Sequence, residues 1–236
     1  MRLEPSDKSE MVNQLLLGDT FEILERQAKW SRIRCHYDGY EGWVDNKQYR
    51  TLSATPMSQA ATPRHTSPSA VAVTQYLGAP YLWGGRTVMG IDCSGLTQIC
   101  FKACGIPLLR DASQQATQGT LVATLADAQR DDLCFFHNPQ GRIIHVGIYL
   151  GGNQIIHASG QVRIDTLTPQ GIVNSDTRQL THALHSIRRV TNPAYPPKKP
   201  LSSNNARAFL GCEIAETGIL FLFYFYFVSV LFLFYF

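Results

Sequence analysis

The sequence predicts an α+β domain preceded by a small all-β barrel. Three observations carry that expectation. The first fifty residues hold short alternating strands separated by turn residues. Helical patterns begin at Ala70 and are closed by glycines. From Leu133 onward the pattern changes to strands, so helices come first and an antiparallel sheet follows.

Each element has its own reason. Phe21–Glu25 reads as a first strand. In Trp30–Tyr37, Ile33, Cys35 and Tyr37 alternate with Arg32, Arg34 and His36, the period of a half-buried strand. Asp38-Gly39 turns the chain, and Tyr40–Val44 returns as the next strand. These residues, 1–52, form the predicted barrel, and a first strand is expected to be missing from it. Residues 53–69 are rich in Ser, Thr, Pro and Ala and read as a linker. A helix over about 70–77 should stop at Gly78. The next, Ser94–Cys104, puts Leu96, Ile99, Cys100 and Ala103 on one face and ends at Gly105. A third should start after Asp111-Ala112-Ser113. Strands are expected at 133–136, 143–150, 154–157 and 186–190, which closes a domain over residues 70–190.

Residues 191–236 form a tail whose last stretch, 219–236, is apolar apart from Ser229 and three tyrosine hydroxyls. At about 1.5 Å per residue such a run spans roughly 27 Å, the thickness of a bilayer core. The tail therefore reads either as a membrane anchor or as a non-native extension, and a membrane partner is expected only in the first case. The net charge of +3 and the lack of a basic run argue against nucleic acid. The six cysteines lack CxxC pairing, so neither metal nor cofactor is expected. Met1–Gln14 is polar and charged and carries no signal-peptide pattern, so the expected location is the cytoplasm. An exported or tethered protein would need a longer natural N-terminus or a native tail.

The chemistry centres on Cys93. It opens a helix after a glycine-rich approach, where the helix dipole favours a thiolate, and Asp92 or Ser94 can cap the helix. His145 stands in a strand otherwise made of Ile, Val and Tyr, and His157 lies on the adjoining strand. A cysteine nucleophile, a histidine base and a second histidine orienting the first make a working set. Cys100, Cys104 and Cys134 fit the core.

The motifs Tyr81-Leu82-Trp83-Gly84-Gly85, Asp92-Cys93-Ser94-Gly95, His145-Val146-Gly147-Ile148-Tyr149 and His157 resemble those of NlpC/P60 cysteine peptidases. Gly39–Val44 resembles the Gly-Tyr-x-Gly-Trp-Val ending of bacterial SH3-like (SH3b) domains. The resemblance implies a papain-like catalytic fold behind an SH3-like barrel. It makes Cys93 the nucleophile, His145 the base and His157 the third member. The pairing of the two domains is similar to YkfC-type γ-D-glutamyl-L-diamino acid endopeptidases. That implies cleavage after D-glutamate in a murein tripeptide with a free N-terminal L-alanine. Asp111 is then expected to bind the substrate ammonium, or to act only as a helix N-cap. Tyr81 would face the oxyanion, or serve as a core aromatic. Trp83 would wall the alanine pocket. Ser94 would hold the D-glutamate carboxylate, or cap the helix. Glu10 would be a second ammonium partner, or a solvated charge. Tyr40 would close the pocket, with Tyr37 as its rival, and Arg86 is expected at the surface. Where the family commonly has Gly-Asp-Leu, this chain has Asp131-Asp132-Leu133. Rival readings are a less selective endopeptidase acting on intact peptidoglycan, a non-enzymatic wall-binding module, and a lipid-type acyltransferase.

Overall fold

The computed structural model describes residues 1–50 and 67–191. Most of the expected linker and the whole of the apolar run at 219–236 lie outside these residues. Among the described residues no helix is long and apolar enough to cross a membrane.

The N-terminal region is all β. Strands β1 (Phe21–Arg26), β2 (Trp30–Cys35) and β3 (Glu41–Asp45) form an antiparallel sheet, and Arg2 bridges to both Trp43 and Met11. The alternation predicted for β2 holds: Ile33 and Cys35 are buried with Val44, while Arg32 and Arg34 point outward to Glu41 and Glu22. Those exposed ion pairs contribute little. The strand ends two residues earlier than its pattern suggests, because Gly39 N–H bonds back to the Cys35 carbonyl and starts the turn.

In the second region, α1 (Pro68–Val71) runs into a single π-helical turn over Ala72–Tyr76. It begins two residues before the expected Ala70, because the Ser67 hydroxyl caps it and Pro68 suits the first turn. Asp131 explains this start. Its carboxylate accepts from Ser67 Oγ at 3.0 Å and from Ser69 N–H at 2.7 Å. Asp131 has φ +76°, the left-handed region that favours glycine. This side chain therefore gains two hydrogen bonds at a backbone position that suits Gly.

Helix α2 (Cys93–Ala103) ends in a Schellman motif. Gly105 N–H bonds to Lys102 O and Ile106 N–H to Phe101 O, with Gly105 at φ +72°. Its buried face is wider than one stripe. Leu96, Cys100 and Phe101 are fully buried, as are the polar Thr97 and Gln98, whereas Ile99 and Ala103 are only partly covered. Gln98 donates to Asp38 of the N-terminal region at 2.8 Å and to the Leu108 carbonyl at 3.1 Å, which explains an amide on a buried face. Helix α3 (Ala112–Gln115) begins directly after Asp111, two residues before the expected start beyond Ser113. A short hairpin, β4 (Arg86–Thr87) with β5 (Gly90–Ile91), leads into α2.

The large sheet has seven antiparallel strands in the order β11-β10-β9-β8-β7-β12-β6. These are β6 (Thr120–Val122), β7 (Leu133–His137), β8 (Ile143–Gly151), β9 (Gln154–Ser159), β10 (Gln161–Thr168), β11 (Gly171–Val173) and β12 (Leu180–Arg189). β11 also pairs with β12, so strands β7 to β12 close into a barrel. One face of each strand packs under the helices, through Leu133, Phe135, Val146, Ile148 and Ile156. The other fills the barrel with Cys134, Phe136, Tyr149, Ile155, Leu167, Ile172 and Ile187. β12 starts six residues before the expected Ser186, because a bulge between Leu184 and Ser186 breaks the alternation.

Candidate active site

Asp92 stands at the N-terminus of α2 and accepts from Gly95 N–H at 2.6 Å, so Asp92 rather than Ser94 caps the helix. Its second oxygen accepts from Gly84 N–H at 2.8 Å and from Arg110 Nη2 at 2.6 Å. Arg110 is 1% exposed and also donates to Ser94 Oγ at 2.8 Å and to Asn13 Oδ1 at 2.9 Å. The turn carrying Cys93 is thus held by the Arg110–Asp92 ion pair, and Arg110 also hydrogen-bonds across to Asn13 of the N-terminal region.

Cys93 is buried, and burial dominates its acidity. Desolvation pushes the thiol up to about 12, and Asp92 adds to this. The backbone N–H groups of Val146 and Ser94 pull the other way, as does Arg110, without overcoming it. The dipole argument, which favours a thiolate, therefore loses to desolvation here. The Val146 contact sets the sulfur against β8 one residue from His145.

His145 and His157 meet on the barrel face of the sheet. His145 Nε2 lies 2.8 Å from His157 Nδ1, and both rings are buried. Gly147 pairs with His157 across β8 and β9 and makes the approach possible. A Cβ there would stand 2.9 Å from His157 Cβ and 2.8 Å from Ile155 Cδ1. Burial drives the His145 pKa well below its ordinary value, helped by His157 and His182. Burial thus favours the neutral form of both Cys93 and His145.

A cavity of about 470 Å³ opens on Cys93 and Ser94. Glu10, Tyr40, Trp83 and Asp111 line it, so residues from both regions share one wall. Trp83 Nε1 donates to Glu10 at 2.6 Å, and the Tyr40 hydroxyl bonds to Asp111. Burial raises the Asp111 pKa, as does Asp92, while Arg110 and Tyr40 oppose this. Asp111 also precedes α3, where its own N–H bonds to Gln114 Oε1 at 3.1 Å. The end-of-helix position and the cavity position coexist. Tyr37 instead lies under Lys102, whose Nζ is 4.4 Å from the ring centre. Tyr81 is half-buried near Cys93, and its pKa is raised by burial and then by Cys93 and Asp92, so its hydroxyl keeps its proton.

One expectation is corrected. Arg86 is not at the surface: it is 3% exposed and pairs with Asp19 at 3.0 Å, and its backbone N–H bonds to Gln14 Oε1. A charged side chain in a turn-rich stretch gave no sign that another region would cover it. Three residues at the site escaped the sequence reading. Arg110 sits in a loop without periodicity. Asp165, on β10, accepts from His157 Nε2 at 3.0 Å. His182, on β12, stacks on His145 with ring centres 4.2 Å apart. The alternation of Val162 and Ile164 with Arg163 and Asp165 was the available signal for β10. Among the described residues no cluster has a metal-binding arrangement.

A buried cysteine at a helix start, bonded to the backbone of the strand that carries one of two paired imidazoles, brings together the groups that a cysteine–histidine hydrolase uses. Residues 78–181 match the NlpC/P60 family and residues 1–48 match the bacterial dipeptidyl-peptidase SH3 domain. The chain thus carries an NlpC/P60 domain behind a bacterial SH3 domain. It is 44% identical over 98 residues to a γ-D-glutamyl-L-lysine dipeptidyl-peptidase of Bacillus subtilis, covering 39% of this chain and 33% of that protein. It is 31% identical over 137 residues to the protein of the same name from Bacillus cereus, covering 56% of this chain and 39% of that one. The chain thus spans between a third and two-fifths of these relatives. A crystal structure of an NlpC/P60 family protein from Bacillus cereus aligns with 80% of this chain and 59% of its own, at 26% identity and a TM-score of 0.45.

Proposed function

We propose that the protein is a cysteine peptidase that hydrolyses the γ-D-glutamyl-diamino acid bond of peptidoglycan-derived peptides bearing a free N-terminal L-alanine. The observation that carries this reading is the shared cavity, where Glu10 and Asp111 face the space beside Cys93. Two carboxylates lining one cavity suit an ammonium, and Trp83 and Tyr40 in the same lining suit a small apolar side chain. The names of the relatives support the substrate class.

In the proposed mechanism His145 Nδ1 takes the Cys93 proton as the sulfur attacks the γ-carbonyl. The oxyanion is met by the Cys93 backbone N–H and the Tyr81 hydroxyl, which its raised pKa keeps as a donor. His145 then gives its proton to the departing amine as the C–N bond breaks, leaving a thioester. Water, deprotonated by the same imidazole, attacks the thioester, and the sulfur recovers the proton. A site that is neutral at rest makes the histidine a general base rather than half of a standing ion pair. Binding the ammonium and the D-glutamate carboxylate beside Ser94 and Arg110 holds the carbonyl near the sulfur.

Mass spectrometry of products from L-Ala-γ-D-Glu-diaminopimelate, with and without an acetyl group on the alanine, tests the reading. Cleavage of the free peptide alone is the expected result, and Cys93→Ala should abolish it. Equal cleavage of both peptides would remove the ammonium role of Glu10 and Asp111. Release of peptides from whole sacculi at the same rate would favour the wall-directed alternative.

A further inference from the structure

The imidazole pair does not end at His157. His157 Nε2 lies 3.0 Å from Asp165 Oδ2, and both side chains are buried to within 2% of complete. Asp165 is surrounded by donors. Oδ2 also accepts from Arg163 Nε at 2.9 Å; Oδ1 accepts from Arg163 Nη2 at 3.0 Å and from Ser175 N–H at 2.9 Å. Arg163 is held in turn by Asp176 at 2.7 Å. The charged and titratable groups facing this cluster are His145 from β8, His157 from β9, Arg163 from β10, His182 from β12 and Asp176 after β11.

The direction of each bond follows from these partners. An ionised Asp165 only accepts, so His157 carries its proton on Nε2. In a neutral His157 the other ring nitrogen, Nδ1, is a bare lone pair, and the 2.8 Å contact then requires His145 to donate from its own Nε2. That leaves His145 Nδ1 unprotonated, the form a base for Cys93 must have. The ionised state of Asp165 is secure: burial acts to raise its pKa, but His157, Ser175 N–H and Arg163 together hold it below the ordinary carboxylate range.

We propose that Asp165 is a positioning residue of the proposed peptidase, setting the tautomers of His157 and His145 so that His145 Nδ1 can take the thiol proton. This rests on the cysteine-peptidase reading, but the tautomers can be read in the free protein. Asp165→Asn is the informative change. The amide must turn its NH₂ toward one pair of the former donors. Arg163 and the Ser175 N–H cannot become acceptors, whereas His157 can by moving its proton to Nδ1. The NH₂ therefore faces His157, His157 then donates to His145 Nε2, and His145 is left protonated on Nδ1, where no base is available.

Long-range ¹H–¹⁵N correlation spectra of histidine-labelled protein at pH 7 read this directly. In the wild type His145 and His157 should both be neutral and protonated on Nε2. In Asp165→Asn both protons should move to Nδ1, and kcat on the free tripeptide should fall at least ~100-fold with KM changed less than ~3-fold, in line with the loss a wrong tautomer causes in a serine-protease triad. Arg163→Gln disturbs the same cluster but keeps the carboxylate, so its tautomers should match the wild type and its kcat should stay within ~10-fold. A wild-type His145 protonated on Nδ1 overturns the proposal even if Asp165→Asn does not fold. So does a folded Asp165→Asn with unchanged tautomers and kcat within ~3-fold, or an Arg163→Gln that switches tautomer. If the wild type cleaves no tripeptide, the peptidase reading fails while the spectra still decide the role of Asp165.

Discussion

Arg110→Met should destabilise the folded protein far more than any single exposed charge change. The wild-type guanidinium is 1% exposed and meets Asp92 through two bonds, at 2.6 and 3.1 Å. Methionine keeps much of the stem volume, so the change removes the charge and its donors with little change in packing. What remains is a buried Asp92 carboxylate without its cation. Removing one partner of a buried ion pair costs about 3–5 kcal/mol. Asp92 still accepts from Gly84 N–H and Gly95 N–H, which places the expected loss near the lower figure, about 3 kcal/mol. Ser94 Oγ and Asn13 Oδ1 each lose a donor as well, though Asn13 Oδ1 keeps the Gln14 N–H.

Urea unfolding followed by tryptophan fluorescence measures the loss, since Trp30 and Trp43 report on the N-terminal sheet and Trp83 on the cavity. The double variant with Asp92→Asn separates charge from packing. If the unpaired carboxylate is the cause, neutralising it should return part of the loss, and the two changes should couple by more than about 1 kcal/mol. A loss from Arg110→Met below about 1 kcal/mol, or strictly additive changes, would refute the reasoning.

Gly147→Ala places a methyl 2.8 Å from Ile155 Cδ1 and 2.9 Å from His157 Cβ. Overpacking of this kind costs about 1–3 kcal/mol, and a displaced His157 should also slow turnover, which melting curves and kcat together will show. Cys93 should be a thiol at neutral pH: thiolate absorbance near 240 nm should be lacking from the Cys93-specific difference spectrum at pH 7 and grow only toward pH 12, and a midpoint below 7 would contradict the burial argument. Asp19 bears on acid stability. Burial acts to raise its pKa, but Leu16 N–H, Arg86 and Lys102 outweigh it and hold the pKa below the ordinary value. A lowered folded pKa gives stability that is complete above the unfolded carboxylate value of about 3.9 and is lost as pH falls below it. Asp19→Asn should therefore flatten the fall of Tm below pH 4, and an unchanged acid limb would count against the interface role.

Much of the fold was legible because its periodicity is local. Ile33 and Cys35 alternate with arginines, Leu96 and Cys100 sit one turn apart, and Ile143–Leu150 is apolar enough to be a buried strand. What remained hidden has physical reasons. The bulge at Leu184–Ser186 shifts the parity of β12, so the half carrying His182 does not continue the pattern of the half carrying Ile187. Asp165 and Arg163 make β10 look half-solvated, when their charges in fact satisfy each other and His157. Gln98 and Thr97 look like an exposed helix face, yet each has buried partners, in Asp38 and Leu108 for the first and in Gln115 for the second. Polar residues are readable as surface only while their partners are near in sequence. The partners of Arg110, Arg86 and Gln98 are 97, 72 and 60 positions away.

Those long separations bear on what the N-terminal barrel does. A barrel that served only to anchor the enzyme elsewhere would have no need to complete the polar interior of its neighbour. Here it supplies Asn13 to Arg110, Asp19 to Arg86 and Lys102, and Asp38 to Gln98. Arg86, Gln98 and Arg110 are all at least 97% buried. A buried guanidinium whose carboxylate lies on another segment cannot be left behind cheaply, so the two regions are bound by the cost of separating them. Glu10 and Tyr40 then reach the cavity from a surface that is already fixed in place, and the Trp83–Glu10 bond spans the seam at 2.6 Å. The N-terminal region is a wall of the cavity beside Cys93, and the selectivity proposed for a free amino terminus depends on its staying there.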